Sequence, residues 1–311
     1  MAPTRARGRP RHPLHEVAVD AGLVGRLLAA QHPDLAGLPR RVASRGWDNV
    51  MVRIGTVLAA RLPARAQAVP LARNEHRWLP GLAALLPVPV PVPVRTGAPG
   101  EGYDWPWSVV PWFEGTPADA VPAGDRDLWA ADLAEVLAAL HVPAPREAPA
   151  NAFRGVPMTM RDEDVRARLG VDGPGGLVLR RAWAAGVDAP AWAGPPLWLH
   201  GDPHPANLLT SQGRLTAVLD FGDLTAGDPA SDLATAWLCF GAEARALFFE
   251  TYAARTGLGA RTLEALRRRA RGWAAALVPP LSAHPGEHPG LAAVAAHAEE
   301  QLVAELGPAT S

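Results

Sequence analysis

The sequence contains no lysine: all 30 of its basic residues are arginine. Chemistry that elsewhere uses an ammonium must here use a guanidinium, which offers a flat fork of donors in place of a point charge. Cysteine occurs once, at Cys239. A lone cysteine excludes an internal disulfide and a multi-cysteine metal site. Its setting, Ala236-Trp237-Leu238-Cys239-Phe240, reads as a buried small hydrophobe in a reducing cytoplasm. Long apolar runs are missing too, since Pro, Gly or a charge interrupts every hydrophobic stretch before the ~18 residues that a membrane helix needs. No apolar segment of the secretory type follows the basic N-terminus. Excess charge is also absent, the formal net charge being -1, so no general basic field draws the chain to nucleic acid.

What is present is 311 residues, 48% of them hydrophobic, with 33 prolines and 30 glycines. This is enough for two domains or one two-lobed domain. Residues 1–13 are basic and Pro-rich and are predicted to be a disordered tail. Their Arg7-Gly8-Arg9-Pro10 has the form of a minor-groove motif, but a single copy without further basic surface supplies little affinity. Leu23, Leu27 and Leu28 predict a helix from Val17 to His32-Pro33. The period then falls to two at Val50, Val52 and Ile54, and Gly55-Thr56 reads as a two-residue turn into a strand from Val57 to Leu62. Pro70 opens a helix that carries Leu71, Glu75, Trp78 and Leu79 on its inward face and is expected to stop at Pro80-Gly81.

The Val-Pro alternation from Pro87 to Val94 cannot be a central strand, because each proline lacks a ladder donor. Trp105 to Phe113 reads as a strand running into a linker, and Asp127 to His141 as a helix. Residues 170–176 lack the Gly-Lys-Ser/Thr of a phosphate loop and read as a flexible linker. Beyond Leu233 the pattern is helical throughout. The expected organisation is α+β, with a β-rich N-terminal lobe over residues 14–113 and a larger, mainly helical lobe over 114–311.

The chemistry is concentrated between the helices of the second lobe. Two short apolar strands end in carboxylates, Asp202 in His200-Gly-Asp202 and Asp220 in Asp220-Phe-Gly, and Asn207 follows Asp202 by five residues. That spacing matches the catalytic loop and metal turn of the kinase template. A transferring phosphoryl group spreads negative charge over its oxygens, so the site needs a divalent cation held by hard oxygen donors, here Asn207 and Asp220. Asp202 stays off the metal to align the acceptor hydroxyl; with an ordinary carboxylate pKa near ~4 it is a poor base at neutral pH. The competing reading is a metal site built from His200, Asp202 and His204, but Pro203 and Pro205 constrain that loop and no further ligand cluster follows.

The segments HGDPHPANLL (200–209), VLDFGD (218–223) and GDPASDLA (227–234) resemble the aminoglycoside phosphotransferase family, the small-molecule branch of the protein-kinase-like fold. The resemblance extends from about Gly46 to the C-terminal helices. It includes Ser44 to Val50, similar to the family's first hairpin turn, and Asn151-Ala-Phe-Arg154-Gly-Val-Pro157, similar to part of the insert that shapes the acceptor pocket. It implies a two-lobed kinase-like fold and transfer of the γ-phosphoryl group of ATP or GTP, with Mg²⁺, to a hydroxyl of a small molecule. An aminoglycoside is the implied acceptor, and antibiotic resistance the implied consequence. A macrolide or metabolite kinase, and a nucleotide-binding regulator without transfer activity, are the alternatives.

By the same resemblance Asp202 is the catalytic residue, and Asn207 and Asp220 are the magnesium ligands. Glu75 pairs with Arg61 on the third strand, where protein kinases have lysine. The Pro111 carbonyl and the Phe113 N–H meet the nucleotide base, and Asp232 anchors the catalytic loop. The acids and arginines after Asp232 balance, which gives no support to a polycationic acceptor; Asp162, Glu163 and Asp164 form one local acidic cluster. Trp183, Trp192, Trp237 and Trp273 leave room for a more apolar pocket, although most are expected in the core.

Overall fold

The computed structural model describes residues 15–170 and 173–307, so the basic tail at 1–13 lies outside the described residues. The chain divides into two compact units, Met1–Pro80 with Pro91–Phe113, and Gly81–Val90 with Glu114–Ser311.

In the first unit, helix α1 (Ala21–Gln31) begins later than its apolar pattern suggested. Asp20 sets the start, its Oδ1 accepting the Leu23 N–H at 2.7 Å, and Val19 ahead of it is buried outside the helix. Five strands follow as one antiparallel sheet in the order β1-β2-β3-β5-β4. They are β1 (Arg40–Arg45), β2 (Asn49–Ile54), β3 (Leu58–Pro63), β4 (Arg95–Gly97) and β5 (Trp107–Pro111), with helix α2 (Ala68–Ala83) between β3 and β4. Leu23, Val24, Leu27 and Leu28 of α1 share a core with Val50, Val52, Ile54, Leu62 and Trp107.

The β2–β3 turn differs from the expected one. Ile54 pairs with Leu58, so the loop holds three residues, Gly55 at φ +59°, Thr56 and an exposed Val57. The extra residue decides where Arg61 points. Opposite residues of an antiparallel pair share a face, and a one-residue slip reverses every side chain. A two-residue turn would have set Arg61 opposite Val50, on the core face; the observed register sets it opposite Met51.

Helix α2 also departs from expectation, since Pro80 lies inside it and the helix runs on to Ala83. Proline forgoes one intrahelical bond without ending the helix here. The β4–β5 ladder pairs Arg95 with Val109, and the Val94 N–H reaches the Val109 carbonyl at 2.8 Å. Continuing that register would place Pro93 opposite Pro111, two residues with no N–H, and the ladder stops.

The second unit opens with β6 (Thr116–Pro117), α3 (Ala123–Arg126), α4 (Ala130–Leu140), α5 (Asp162–Arg168) and α6 (Gly173–Val187). The glycines from 173 onward thus begin a helix and are not a linker. Four strands follow, β7 (Leu197–Leu199), β8 (Leu208–Ser211), β9 (Arg214–Val218) and β10 (Thr225–Gly227), pairing as β6-β8-β9 and β10-β7. The chain ends in α7 (Ala230–Leu233), α8 (Thr235–Cys239), α9 (Ala242–Thr256), α10 (Ala260–Leu281) and α11 (Pro289–Leu306). Gly81–Val90 joins this unit, the Pro89 carbonyl accepting the Val218 N–H at 3.2 Å.

Helix α10 is packed by α6, α7 and α11, and Trp183 of α6 meets Trp273 of α10 edge to face, with centroids 5.5 Å apart. Gly272 permits the approach: a Cβ there would lie 2.7 Å from Met158 Cε and 3.2 Å from the Ala182 carbonyl oxygen. Gly272→Val should destabilise the unit by about 1–3 kcal/mol through overpacking. Chemical denaturation checks this, and an unchanged midpoint would show that Met158 yields freely.

Candidate active site

The loop that carries Asp202 leaves β7 at Leu199 and is held from behind through its backbone N–H groups. Asp232 is fully buried and accepts the N–H groups of His200 at 2.7 Å and Gly201 at 3.0 Å. Behind it stands His141, 3.2 Å from Asp232 through Nε2 and 2.8 Å from the Tyr252 hydroxyl through Nδ1. Gly201 has φ +89°, and a Cβ there would fall 2.2 Å from the Asp223 carbonyl oxygen, so a side chain has no room.

His200 is a strut. Its Nδ1 accepts the Asp202 N–H at 3.2 Å, its Nε2 donates to the Leu219 carbonyl at 2.8 Å, and the side chain is buried. With both ring nitrogens engaged it has none for a metal, which removes the His200–Asp202–His204 reading. The Asn207 amide donates through Nδ2 to the Asp202 carbonyl at 2.9 Å, which turns Oδ1 into the acceptor it can offer. The Asn207 carbonyl accepts the Leu219 N–H at 2.8 Å, bringing Asp220, the next residue, alongside. Asp220 adopts a left-handed conformation, φ 58° and ψ 71°, and caps the turn Phe221–Asp223.

Asn207 and Asp220 make a pair of hard oxygen donors, a set that fits Mg²⁺, which takes few protein ligands and completes its shell with phosphate and water. Among the described residues no group of three or more His, Cys, Asp or Glu side chains could hold a metal. A cation here would therefore depend on oxygens of a bound phosphate as well.

The Asp202 carboxylate is held from both sides. Arg154 Nη2 lies 3.1 Å from Oδ1, and His204 Nε2 lies 3.4 Å from Oδ2. Burial alone would raise the pKa of this carboxyl, but the charges of His204 and Arg154 outweigh it and hold it well below the usual carboxylate range. For His204, burial favours the neutral ring, and the adjacent Asp202 charge overcomes it and raises its pKa. Asp223 titrates above its ordinary range, from burial first and then from the negative charge of Asp202. The Asn151 Nδ2 donates to Asp223 Oδ1 at 2.8 Å.

Arg154 belongs to a strap over residues 151–157, a stretch whose sequence stands out without assigning a role to any one of its residues. Its Nε also donates to the Gly201 carbonyl at 2.7 Å. Sequence spacing could not place it: it precedes Asp202 by 48 residues and is delivered by a non-helical segment. The available signal was an arginine in an Asn-x-x-Arg-Gly stretch with no carboxylate of its own nearby. Beside Asp202 the surface is lined by Arg154, His204, Leu238, Leu277 and Leu281. The acidic cluster of α5 is largely committed elsewhere. Asp162 accepts from Trp183 Nε1 and Arg166 Nε, each at 2.7 Å, and Asp164 pairs with Arg161 at 2.7 Å. Trp183, Trp237 and Trp273 are core residues, as is Cys239, whose thiol burial pushes up to about 12.

In the first unit Arg61 Nη1 lies 3.2 Å from Glu75 Oε1, both side chains over nine-tenths buried. The Trp112 N–H goes to the Val57 carbonyl on the β3 side. Groups of odd-numbered residues in β5 face the other way, as the Val109 carbonyl does toward Val94. The Pro111 carbonyl therefore faces the edge where the proline pair ended the ladder.

A β-rich unit with a buried Arg–Glu pair, and a helical unit presenting Asp202, Asn207 and Asp220 at strand ends, define a phosphotransferase of the protein-kinase-like class, the α+β architecture expected from the sequence. Over residues 39–303 the chain matches the phosphotransferase enzyme family, APH, and it belongs to that family. Among solved structures it is similar to the GDP and kanamycin complex of APH(2")-IIia, with 20% identity, a TM-score of 0.65, and coverage of 91% of this chain and 99% of that one. It is also similar to macrolide 2'-phosphotransferase MphH from Brachybacterium faecium, with 25% identity, a TM-score of 0.59, and coverage of 93% and 99%. The uncharacterized protein YcbJ of Bacillus subtilis (strain 168) is 36% identical over 91 residues, a stretch covering 29% of this chain and 28% of that protein. No helix among the described residues is long and apolar enough to cross a membrane.

Proposed function

We propose that this chain moves the γ-phosphoryl group of ATP or GTP to a hydroxyl of a small molecule, in the cytoplasm where those nucleotides are abundant. The observation that carries the reading is the Asp202 carboxylate held between Arg154 and His204, with Asn207 bonded to its backbone carbonyl. An acceptor hydroxyl donates its hydrogen bond to a lone pair of Asp202 left over from the two cations. The depressed pKa makes Asp202 a weak base, so its work is alignment of the attacking oxygen, and the proton leaves once the new bond has formed.

Asn207 Oδ1 and the Asp220 carboxylate would hold Mg²⁺, which supplies the positive charge that the transferring phosphoryl oxygens require. Arg61, oriented by Glu75, binds nucleotide phosphate oxygens through its fork. The Pro111 carbonyl and the Phe113 N–H meet the nucleotide base.

An aminoglycoside, with resistance as the consequence, is the acceptor that the sequence resemblance implied. Two of the three α5 acids are already paired, and a macrolide or a metabolite is the alternative acceptor. The test incubates purified protein with Mg²⁺, labelled ATP or GTP, and a panel of aminoglycosides, macrolides and small alcohols, with Asp202→Asn as control. Transfer to an acceptor of the panel by the wild type alone is expected. Nucleotide binding without transfer to any acceptor would favour the regulator.

A further inference from the structure

Arg154 does more than line the site. We propose that Arg154 is a positioning residue for the Asp202 carboxylate. The inference rests on the phosphotransferase reading of Asp202. Two bonds from one rigid guanidinium, Nε to the Gly201 carbonyl at 2.7 Å and Nη2 to Asp202 Oδ1 at 3.1 Å, fix the plane of the carboxylate relative to its own loop. The flexible stem and single ammonium of a lysine would not impose that orientation.

The strap holding Arg154 is itself pinned. Asn151 Nδ2 donates to Asp223, the Gly155 N–H donates to Ser231 Oγ at 3.1 Å, and the Gly155 carbonyl accepts the Asp228 N–H at 2.9 Å. Gly155 has φ +67°, and a Cβ there would come within 2.6 Å of Leu199, so the backbone after Arg154 has little freedom to shift. Asp228 is fixed in turn by Arg269, whose Nε lies 2.7 Å from its Oδ2. The arginine is thus built into the fold and is not a surface side chain that happens to touch Asp202.

The Arg154 side chain is 24% exposed beside the 27% exposed Asp202, so the pair is within reach of an acceptor hydroxyl.

Arg154→Lys keeps the charge and loses the fork, so it tests the orientation alone.

The positioning role is read from steady-state kinetics with the best acceptor of the panel, or from slow hydrolysis of Mg-ATP by water. Arg154→Lys should lower kcat about tenfold or more while leaving the nucleotide KM and the melting temperature near wild type. An unchanged kcat, or a loss that tracks a fall in melting temperature, would overturn positioning. If the wild type transfers phosphoryl neither to any acceptor nor to water, the phosphotransferase reading fails and the positioning role falls with it.

Discussion

Asp202→Asn is expected to lower kcat by about a thousandfold while leaving the nucleotide KM within a few-fold of wild type. Asparagine keeps the shape and can still accept the Arg154 hydrogen bond at one oxygen. It replaces the other oxygen with an amide that donates where the acceptor hydroxyl must itself donate, so the hydroxyl loses its alignment. The negative charge goes as well, leaving Arg154 and His204 facing each other with nothing between them to balance. The nucleotide should be spared, because Asn207 is oriented by the backbone carbonyl of Asp202 and not by its side chain. Steady-state kinetics decide the matter. A kcat within threefold of wild type would remove Asp202 from the reaction, and a large rise in nucleotide KM would place it on the metal.

The parts of this site that were legible in the sequence are those fixed by short-range geometry. The step from Asp202 to Asn207 is the length of one loop, and Asp220-Phe-Gly is one turn, so spacing alone carries them. What spacing could not carry is what the fold brings in from a distance. Arg154 reaches Asp202 across 48 residues, and His141 reaches Asp232 across 91. His141 caps the end of α4 and Arg154 lies in a segment outside any helix or strand, and neither local pattern says anything of the partner.

Local errors had local causes. Gly55-Thr56 has the composition of a two-residue turn, and the burial of Val50, Val52 and Ile54 opposite Leu62, Ala60 and Leu58 overrode it by enforcing a register that needs three residues. Pro80 reads as a stop, but one missing bond near a helix end costs less than unwinding the last turn, whose Leu82 is buried. The absence of lysine shows the reverse case, where composition constrained the site. The pairing of Arg61 with Glu75 came from the family resemblance, the missing lysine deciding only that its basic member is arginine, and the three-residue turn explains why Arg61 leaves the core face.

Arg61→Ala is the second large effect expected, and it has two components that must be separated. Removing the guanidinium leaves Glu75, 6% exposed, as a buried carboxylate that has lost its cation, which should cost about 3–5 kcal/mol of stability. It should also raise the nucleotide KM or abolish turnover, because the chain has no lysine to take over the phosphates. A fall in activity alone would not distinguish the two. The double variant Arg61→Met, Glu75→Met does, since replacing both partners of a buried pair by apolar groups of similar volume is close to neutral in stability. It should therefore fold with a melting temperature near wild type and still bind nucleotide poorly. Arg61→Lys should fall between, binding phosphate through a point charge that cannot serve Glu75 and the nucleotide with the same fork. If the double variant melts like the wild type and also keeps the wild-type nucleotide KM, the Arg61–Glu75 pair only supports the sheet, and the phosphate contacts must come from elsewhere on the chain.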